Sequence, residues 1–237
     1  FGGTEYQLAL TEPARENAIH GLTRWMAWTA VQQDASSVRL RSAPHGQQGY
    51  PFCVEIEAEY RLDPDAGLRV AVTARNRGSR AAPYGTGSHP YLTVLTPSVD
   101  GCELTLPAGS WLPMDDRGIP SGPTEPVDGT EYDFRQPRAI GGTRLDHALT
   151  GLSRDGDGRA WSYLAAGADG RRVGLWAGDG YAWLQVFTGD PLGPDRRRKA
   201  VAIEPMTCPP NAFVTADDLL VLEPGERVTH SWGIQAF

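Results

Sequence analysis

The sequence has 237 residues, of which 40% are hydrophobic, and a formal net charge of −7. This composition is ordinary for a globular protein, and it lacks the basic stripe that a nucleic-acid-binding surface requires. The one basic run, Arg196–Lys199, follows a proline-rich segment and is expected to be a solvated loop, so nucleic acid is not an expected partner.

Neither a membrane span nor a disulfide framework is expected. No apolar run is long enough to cross a bilayer, and no signal peptide opens the chain. The three cysteines, Cys53, Cys102 and Cys208, are far apart and odd in number, which predicts reduced thiols in a cytoplasmic protein. The chain opens on Phe1, and we expect further residues to precede it.

Short alternating runs between turns dominate the sequence. Phe52, Val54 and Ile56 mark the apolar face of a first strand, and glutamates occupy its other face. A turn at 63–67 leads into a second alternating run that begins at Leu68. We predict an antiparallel hairpin in which the arginines of the second strand face the glutamates of the first.

Further strands are predicted along the rest of the chain, and helix is almost absent. A short helix of one or two turns is predicted at Leu145–Leu152. The predicted strands lie at 38–41, 102–106, 172–177, 181–188 and 201–204, with a closing pair at 219–222 and 227–234. Many strands with 28 glycines and 19 prolines between them favour an all-β protein, a large antiparallel β-sandwich that forms one domain over residues 1–237.

The five histidines differ in their surroundings. His45 is expected in a solvated loop, His147 on the surface of the predicted short helix, and His230 in a structural or exposed position of the closing strand. His20 precedes a glycine, and His89 stands between a glycine-rich run and a proline that favours an extended backbone. On these grounds alone, both structural and functional roles stay open for His20 and His89.

Glu204 is the acidic residue with the most unusual position. It ends the apolar run 200–203 and precedes a proline-rich loop. A carboxylate that leaves a buried strand in this way would be desolvated, which raises its pKa unless a cation or a hydrogen-bond donor compensates. The alternative is a strand-end glutamate that pairs with an arginine.

Four segments together resemble the aldose 1-epimerase (galactose mutarotase-like) family, in the family's order and over essentially the whole chain. They are Asn17–Gly21, Gly87–Leu92, Leu145–Ala148 and Ile203–Asn211. The closing segment 222–226, with Trp232 after it, also looks like the family's last hairpin. The resemblance implies a many-stranded antiparallel supersandwich with a cleft over one sheet.

The resemblance also implies a reaction and its residues. An aldose 1-epimerase interconverts the α and β anomers of a free hexose, such as glucose or galactose, and needs neither a cofactor nor a metal. His89 matches the general acid and Glu204 the general base, whereas His20 and Asp146 match contacts to sugar hydroxyls. We expect an ionised Glu204 and a protonated His89 that face each other across the width of one pyranose ring.

Two departures from the family's pattern qualify these expectations. Family members carry an active-site arginine and asparagine upstream of the His-Gly pair, and nothing in this sequence matches them. Either that segment precedes Phe1, or the protein is a truncated relative. In addition, His20–Trp25 resembles the hexose-6-phosphate 1-epimerase branch, in which an arginine soon after the His-Gly pair lies near the sugar phosphate. Arg24 is therefore a candidate phosphate ligand, a cleft-lining residue or the partner of an acid.

Two functions of other classes remain open at this point. One is a non-catalytic carbohydrate-binding module, and the other is a metal site made by His20, His89 and Glu204. An aromatic face for a sugar ring is expected from one of Trp25, Trp28 and Trp176. No feature of the sequence indicates an oligomeric state.

Overall fold

Two antiparallel sheets form most of the molecule. The computed structural model describes residues 1–43, 46–167 and 170–237. Nine strands formed by these residues build the larger sheet: β1 (Thr29–Gln33), β2 (Ser37–Ser42), β3 (Val54–Asp63), β4 (Gly67–Asn76), β7 (Cys102–Thr105), β10 (Arg138–Ala139), β12 (Ala160–Ala166), β13 (Arg172–Ala177) and β17 (Arg227–Ala236). Their order across the sheet is β1-β2-β3-β4-β17-β13-β12-β7-β10.

The smaller sheet carries the residues of greatest interest. Within the same residues it holds six strands: β6 (Tyr91–Leu92), β8 (Ala108–Trp111), β9 (Glu125–Pro126), β11 (Asp146–Leu152), β14 (Trp183–Phe187) and β15 (Val201–Met206), in the order β6-β15-β14-β11-β8-β9. A separate pair joins β5 (Ala82–Tyr84) to β16 (Leu220–Leu222), and the helices are a 3-10 turn at Pro13–Arg15 and α1 at Ala212–Thr215. No helix in the described ranges is long and apolar enough to cross a membrane.

The core lies between the two sheets. Side chains from both belong to one buried cluster, including Leu104, Leu164 and Leu175 of the larger sheet and Leu149, Leu184 and Ile203 of the smaller. Two sheets that bury one face each against the other form a sandwich. The predicted large antiparallel β-sandwich is therefore confirmed.

The predicted hairpin forms, and Arg75 of β4 lies opposite Glu55 of β3 as expected, whereas Arg69 lies opposite Arg61. β3 pairs with β4 as expected. The other two glutamates of β3 bond to arginines of β2: Arg41 contacts Glu57 at 2.6 Å, and Arg39 contacts Glu59 at 2.9 Å. Each of these arginines lies directly opposite its glutamate across the β2–β3 ladder. The sequence pattern could not show that β3 has a second neighbour with matching charges.

Two predicted elements are wrong. The segment Leu145–Leu152 contains strand β11 instead of a short helix, because β8 and β14 pair with it on both sides. The closing segments also do not form a hairpin. Strand β16 pairs with β5, whereas β17 lies between β4 and β13 in the larger sheet. In both cases, contacts distant in sequence override the local pattern.

The core makes a direct test of the sandwich possible. Leu104 is fully buried between the sheets, so Leu104→Ala should lower the free energy of unfolding by about 2–5 kcal/mol. Leu62 is 62% exposed at the end of β3, and Leu62→Ala should change it by less than about 0.5 kcal/mol. Urea denaturation measures both values. Equal losses in the two variants would contradict the assigned core.

Candidate active site

Strand register brings His89 next to Glu204. The segment 87–92 runs antiparallel to β15, with Gly87 opposite Met206 and β6 opposite the start of β15. Both pairings belong to one register, and that register places His89 directly opposite Glu204. Because directly opposite side chains lie on the same face of a sheet, the two project together. Glu204 therefore lies within β15, and the prediction that it ends a strand was wrong.

The two side chains are in direct contact. His89 Nε2 lies 3.2 Å from Glu204 Oε1. The Glu204 side chain is 11% exposed and that of His89 is 34% exposed, so the carboxyl group lies beneath the imidazole. The sequence correctly indicated that these remote residues meet. The expected gap of one pyranose ring between them is absent.

Gln185 and Asp146 extend this group across the sheet. Gln185 of β14 lies opposite Glu204, and its Nε2 donates a hydrogen bond of 2.9 Å to Asp146 Oδ1 on β11. Gln185 Oε1 is buried and has no hydrogen-bond partner among the described residues. Gln185 was not predicted from the sequence. Its only mark in the sequence is that a polar residue stands within an apolar strand. That mark does not indicate a site residue until the strand register places Gln185 opposite Glu204.

His20 and Tyr91 hold the His89 ring from two sides. The backbone of His20 is left-handed, with φ 60°, and Gly21 follows with φ 65°. Such a backbone is uncommon for a non-glycine residue, and it marks a site where other contacts stabilise the strained conformation. The His20 ring meets that of His89 edge to face at 5.4 Å, and Tyr91 stacks on His89 at 4.9 Å. The structure thus brings His20, His89, Asp146 and Glu204 together.

Burial works against both charges of the pair. It raises the pKa of Glu204 to about 8, and the negative charge of Asp146 adds to this shift. The pKa of His89 is lowered, first by burial and then by the positive charges of His20 and Arg24. At neutral pH, these shifts favour the protonated form of Glu204 and the neutral form of His89 in the free pair. The expected ionised Glu204 and protonated His89 therefore stay a prediction for the sugar-bound site, because in the free site desolvation disfavours the charged form of each group.

The three tryptophans considered as a surface for a sugar ring differ in their burial. Trp176 is buried in β13 of the larger sheet, and Trp28 packs against the core. Trp25 is 82% exposed, with the guanidinium of Arg24 4.9 Å from the centre of its ring. An apolar patch on the same face as Gln185 was not foreseen. It comprises Trp183, Leu112 and Ala148, with Met114, Ala182 and Met206 packed against them.

The other histidines lie outside the His89–Glu204 group. His147 is half-buried between aromatic rings, 4.4 Å from that of Tyr132, so the expected surface position was wrong. His230 is partly buried in β17, which agrees with a structural role, and burial lowers its pKa. His45 lies outside the described residues. Across the described part of the chain, no three His, Cys, Asp or Glu side chains are grouped to hold a metal ion.

A cleft of about 370 Å³ opens beside Asp146. Phe187, which pairs with Asp146 across β11 and β14, forms part of its lining. Arg144 and Arg197 also line it. Phe187 is two residues along β14 from Gln185 and so shares its face. The cleft therefore extends the face that carries Glu204.

Comparisons with known proteins show which family and which solved structures this chain resembles. The family model described as aldose 1-epimerase matches residues 1–235. The chain is 35% identical over 226 residues to the Escherichia coli protein named "Uncharacterized protein YihR", an alignment that covers 95% of this chain and 70% of that protein. It is 31% identical over 159 residues to human galactose mutarotase, covering 65% of this chain.

The shared region is only part of the longer relatives. The alignment spans 45% of the human protein's length. A solved structure of a galactose mutarotase-like protein from Clostridium acetobutylicum superposes with a TM-score of 0.85 at 17% identity, over 100% of this chain and 74% of that one. At this identity the likeness supports the fold alone.

The buried carboxyl group makes stability depend on pH. Because folding raises the pKa of Glu204 from an ordinary value near 4.5 to about 8, its contribution to stability is lost as the pH rises through this range. Glu204→Gln removes that loss. The variant should gain stability relative to the parent protein between pH 4.5 and 8, on the order of a few kcal/mol, as measured by urea denaturation at several pH values.

Glu59→Gln is the control, and its effect on stability should have the opposite sign. A hydrogen bond from Arg39 lowers the pKa of Glu59, so this carboxylate stabilises the fold above its unfolded pKa. Glu59→Gln should lose stability at neutral pH, and the loss should shrink as the pH falls. If Glu204→Gln behaved in the same way, the assigned burial of Glu204 would be wrong.

Proposed function

The chain belongs to the aldose 1-epimerase family, and on that premise we propose that it interconverts the α and β anomers of a free hexose such as glucose or galactose. One observation carries the proposal: His89 and Glu204 touch at 3.2 Å. Asp146 and His20 lie close enough for their charges to act on His89. The reaction class is an isomerisation by proton transfer.

Anomer exchange needs one acid and one base that act on neighbouring atoms. The ring opens when the C1 hydroxyl loses a proton and the ring oxygen gains one, and it recloses after rotation about the C1–C2 bond. Both oxygens are bonded to C1 and therefore lie close together. Two groups in contact can reach both oxygens from one side, so the chemistry does not require a gap of a whole ring between His89 and Glu204.

We assign the base role to Glu204 and the acid role to His89. The free pair holds one proton, on Glu204. Sugar hydroxyls that donate hydrogen bonds to this carboxyl group favour its ionised form, and the proton then passes to His89 across their contact. Glu204 takes the C1 proton, His89 donates to the ring oxygen, and the roles reverse on closure. Each such transfer contributes roughly 10²–10⁴-fold to the rate.

The remaining groups of the face suit a sugar. His20 and Asp146 are assigned to sugar hydroxyls, and the unpartnered Gln185 Oε1 is a further acceptor for one of them. The patch around Trp183 offers an apolar surface to the C–H face of the ring. We also propose that the two sheets form one domain, because they share one core. A further proposal is that the protein is cytoplasmic, because its cysteines are free thiols, as a reducing compartment favours.

A hexose 6-phosphate is the alternative substrate. The charge of Arg24 acts on both His20 and His89, so a cation lies near the group that binds the sugar. Arg144 and Arg197 line the adjoining cleft. Comparison of kcat/KM for glucose and glucose 6-phosphate in one assay decides between the two substrates. A purely carbohydrate-binding protein would bind a sugar and leave the anomer ratio at its uncatalysed rate of change.

Polarimetry tests the assigned acid and base. Glu204→Gln and His89→Asn should each reduce kcat at least about 10²-fold, because each removes one proton-transfer group. Glu103→Gln changes an exposed glutamate of the larger sheet and should retain full activity. Near-normal turnover by Glu204→Gln would refute the assignment.

The position of the pH optimum tests the role of Asp146. Its charge raises the pKa of both Glu204 and His89, and Asn still offers Gln185 an acceptor. Asp146→Asn should therefore move both limbs of the kcat/KM profile to lower pH. Asp157→Asn, an exposed change in the turn before β12, should leave the profile in place. An unmoved profile in Asp146→Asn would contradict the electrostatic account.

A further inference from the structure

The segment that carries His89 has few hydrogen bonds to its neighbour. It lies at the edge of the smaller sheet, where β15 is its one pairing partner among the residues that the structure describes. Pro90 and Pro205 stand in this ladder, and neither has an N–H to donate. On either side of His89, the ladder retains the bonds from Ser88 N to Pro205 O at 3.2 Å and from Ile203 N to Pro90 O at 3.3 Å.

A contact from the opposite sheet holds this segment. Trp232 of β17 is buried, and its Nε1 donates a hydrogen bond of 3.0 Å to Ser88 Oγ. Because side chains alternate along an extended segment, Ser88 points toward the core while His89 points toward the site. The bond therefore joins the larger sheet to the residue that immediately precedes His89.

Burial of the indole ring does not by itself require such a bond. Trp111 Nε1 is also buried, and it has no hydrogen-bond partner among the described residues. The fold therefore tolerates an unpaired indole N–H at one position and pairs another with Ser88. This contrast favours a specific role for the Trp232–Ser88 bond.

We propose that Trp232 and Ser88 are positioning residues that hold His89 against Glu204. The proposal rests on the proposed function, in which His89 donates the proton. The bond replaces part of the support that the two prolines remove from the ladder. Without it, the edge segment moves relative to β15, and His89 Nε2 moves away from Glu204 Oε1. Misplacement of a catalytic group by about 1 Å can cost 10²-fold in rate.

Ser88→Ala tests the proposal with the smallest change. It removes the acceptor, and kcat should fall about tenfold while KM stays within about twofold, because a displaced acid affects the transition state more than sugar binding. Ser153→Ala is the matched control. Its hydroxyl donates to Pro107 O at 3.2 Å in an exposed position, and its loss should leave kcat unchanged.

Trp232→Phe removes the donor from the other side. It should lower kcat as Ser88→Ala does, and the double variant should be no worse than the poorer single variant, because both changes break one bond. Trp161→Phe loses an exposed indole bond of 2.9 Å to Asp155 and is the control. If Trp232→Phe fails to fold, the serine variants decide the question.

Titration of His89 by NMR separates positioning from turnover. The His89 signal is assigned by its loss in His89→Asn. In Ser88→Ala the apparent pKa of His89 should rise toward its ordinary value, because the ring leaves its buried contacts, whereas in Ser153→Ala it should not move. If the parent protein converts no sugar, the proposed function fails, and the titration still tests the positioning. A lower unfolding free energy in Ser88→Ala, with kcat and the His89 titration unchanged, would overturn the proposal.

Discussion

Antiparallel pairing on both sides of β15 determines which side chains meet at the site. Glu204 has Gln185 opposite it on β14 and His89 opposite it on the edge segment, so the acid and the base are neighbours across a ladder. A shift of one residue in either pairing would turn one of the partners into the core. The core formed between the two sheets prevents such a shift, because it would also expose the leucines and isoleucine that the smaller sheet buries. Packing of the core between the two sheets thus maintains the strand register that places His89, Glu204 and Gln185 side by side.

The same burial sets the proton state of the site. Burial of Glu204 favours the neutral form of its carboxyl group, and partial burial favours the neutral form of the His89 imidazole. The negative charge of Asp146 disfavours the ionised form of Glu204 further. These shifts favour a free site in which Glu204 holds one proton in contact with His89. Ring opening removes a proton from the C1 hydroxyl and adds one to the ring oxygen, so it needs one base and one acid. The pair can exchange the two roles without a cofactor.

The sequence predicted the local features well and the distant pairings poorly. Alternation identified β3, β4 and β13, and the resemblance of four segments to one family singled out His89 and Glu204. The strand β11 was mistaken for a short helix because its eight-residue segment has no clear period, and only its neighbours make it extended. Gln185 was missed because its relevance depends on the β14–β15 register. The protonation states of Glu204 and His89 could not be derived from the sequence, because burial shifts both pKa values and the sequence does not reveal its extent.

The central claim is that His89 and Glu204 share one proton that moves between them when a sugar binds. Infrared difference spectroscopy at neutral pH measures this directly through the carboxyl stretch of a protonated glutamic acid. The account predicts a protonated-carboxyl band in the free protein that is absent from Glu204→Gln and that converts to a carboxylate band when a hexose is added. A Glu204 that is already ionised in the free protein and unchanged by sugar would contradict it.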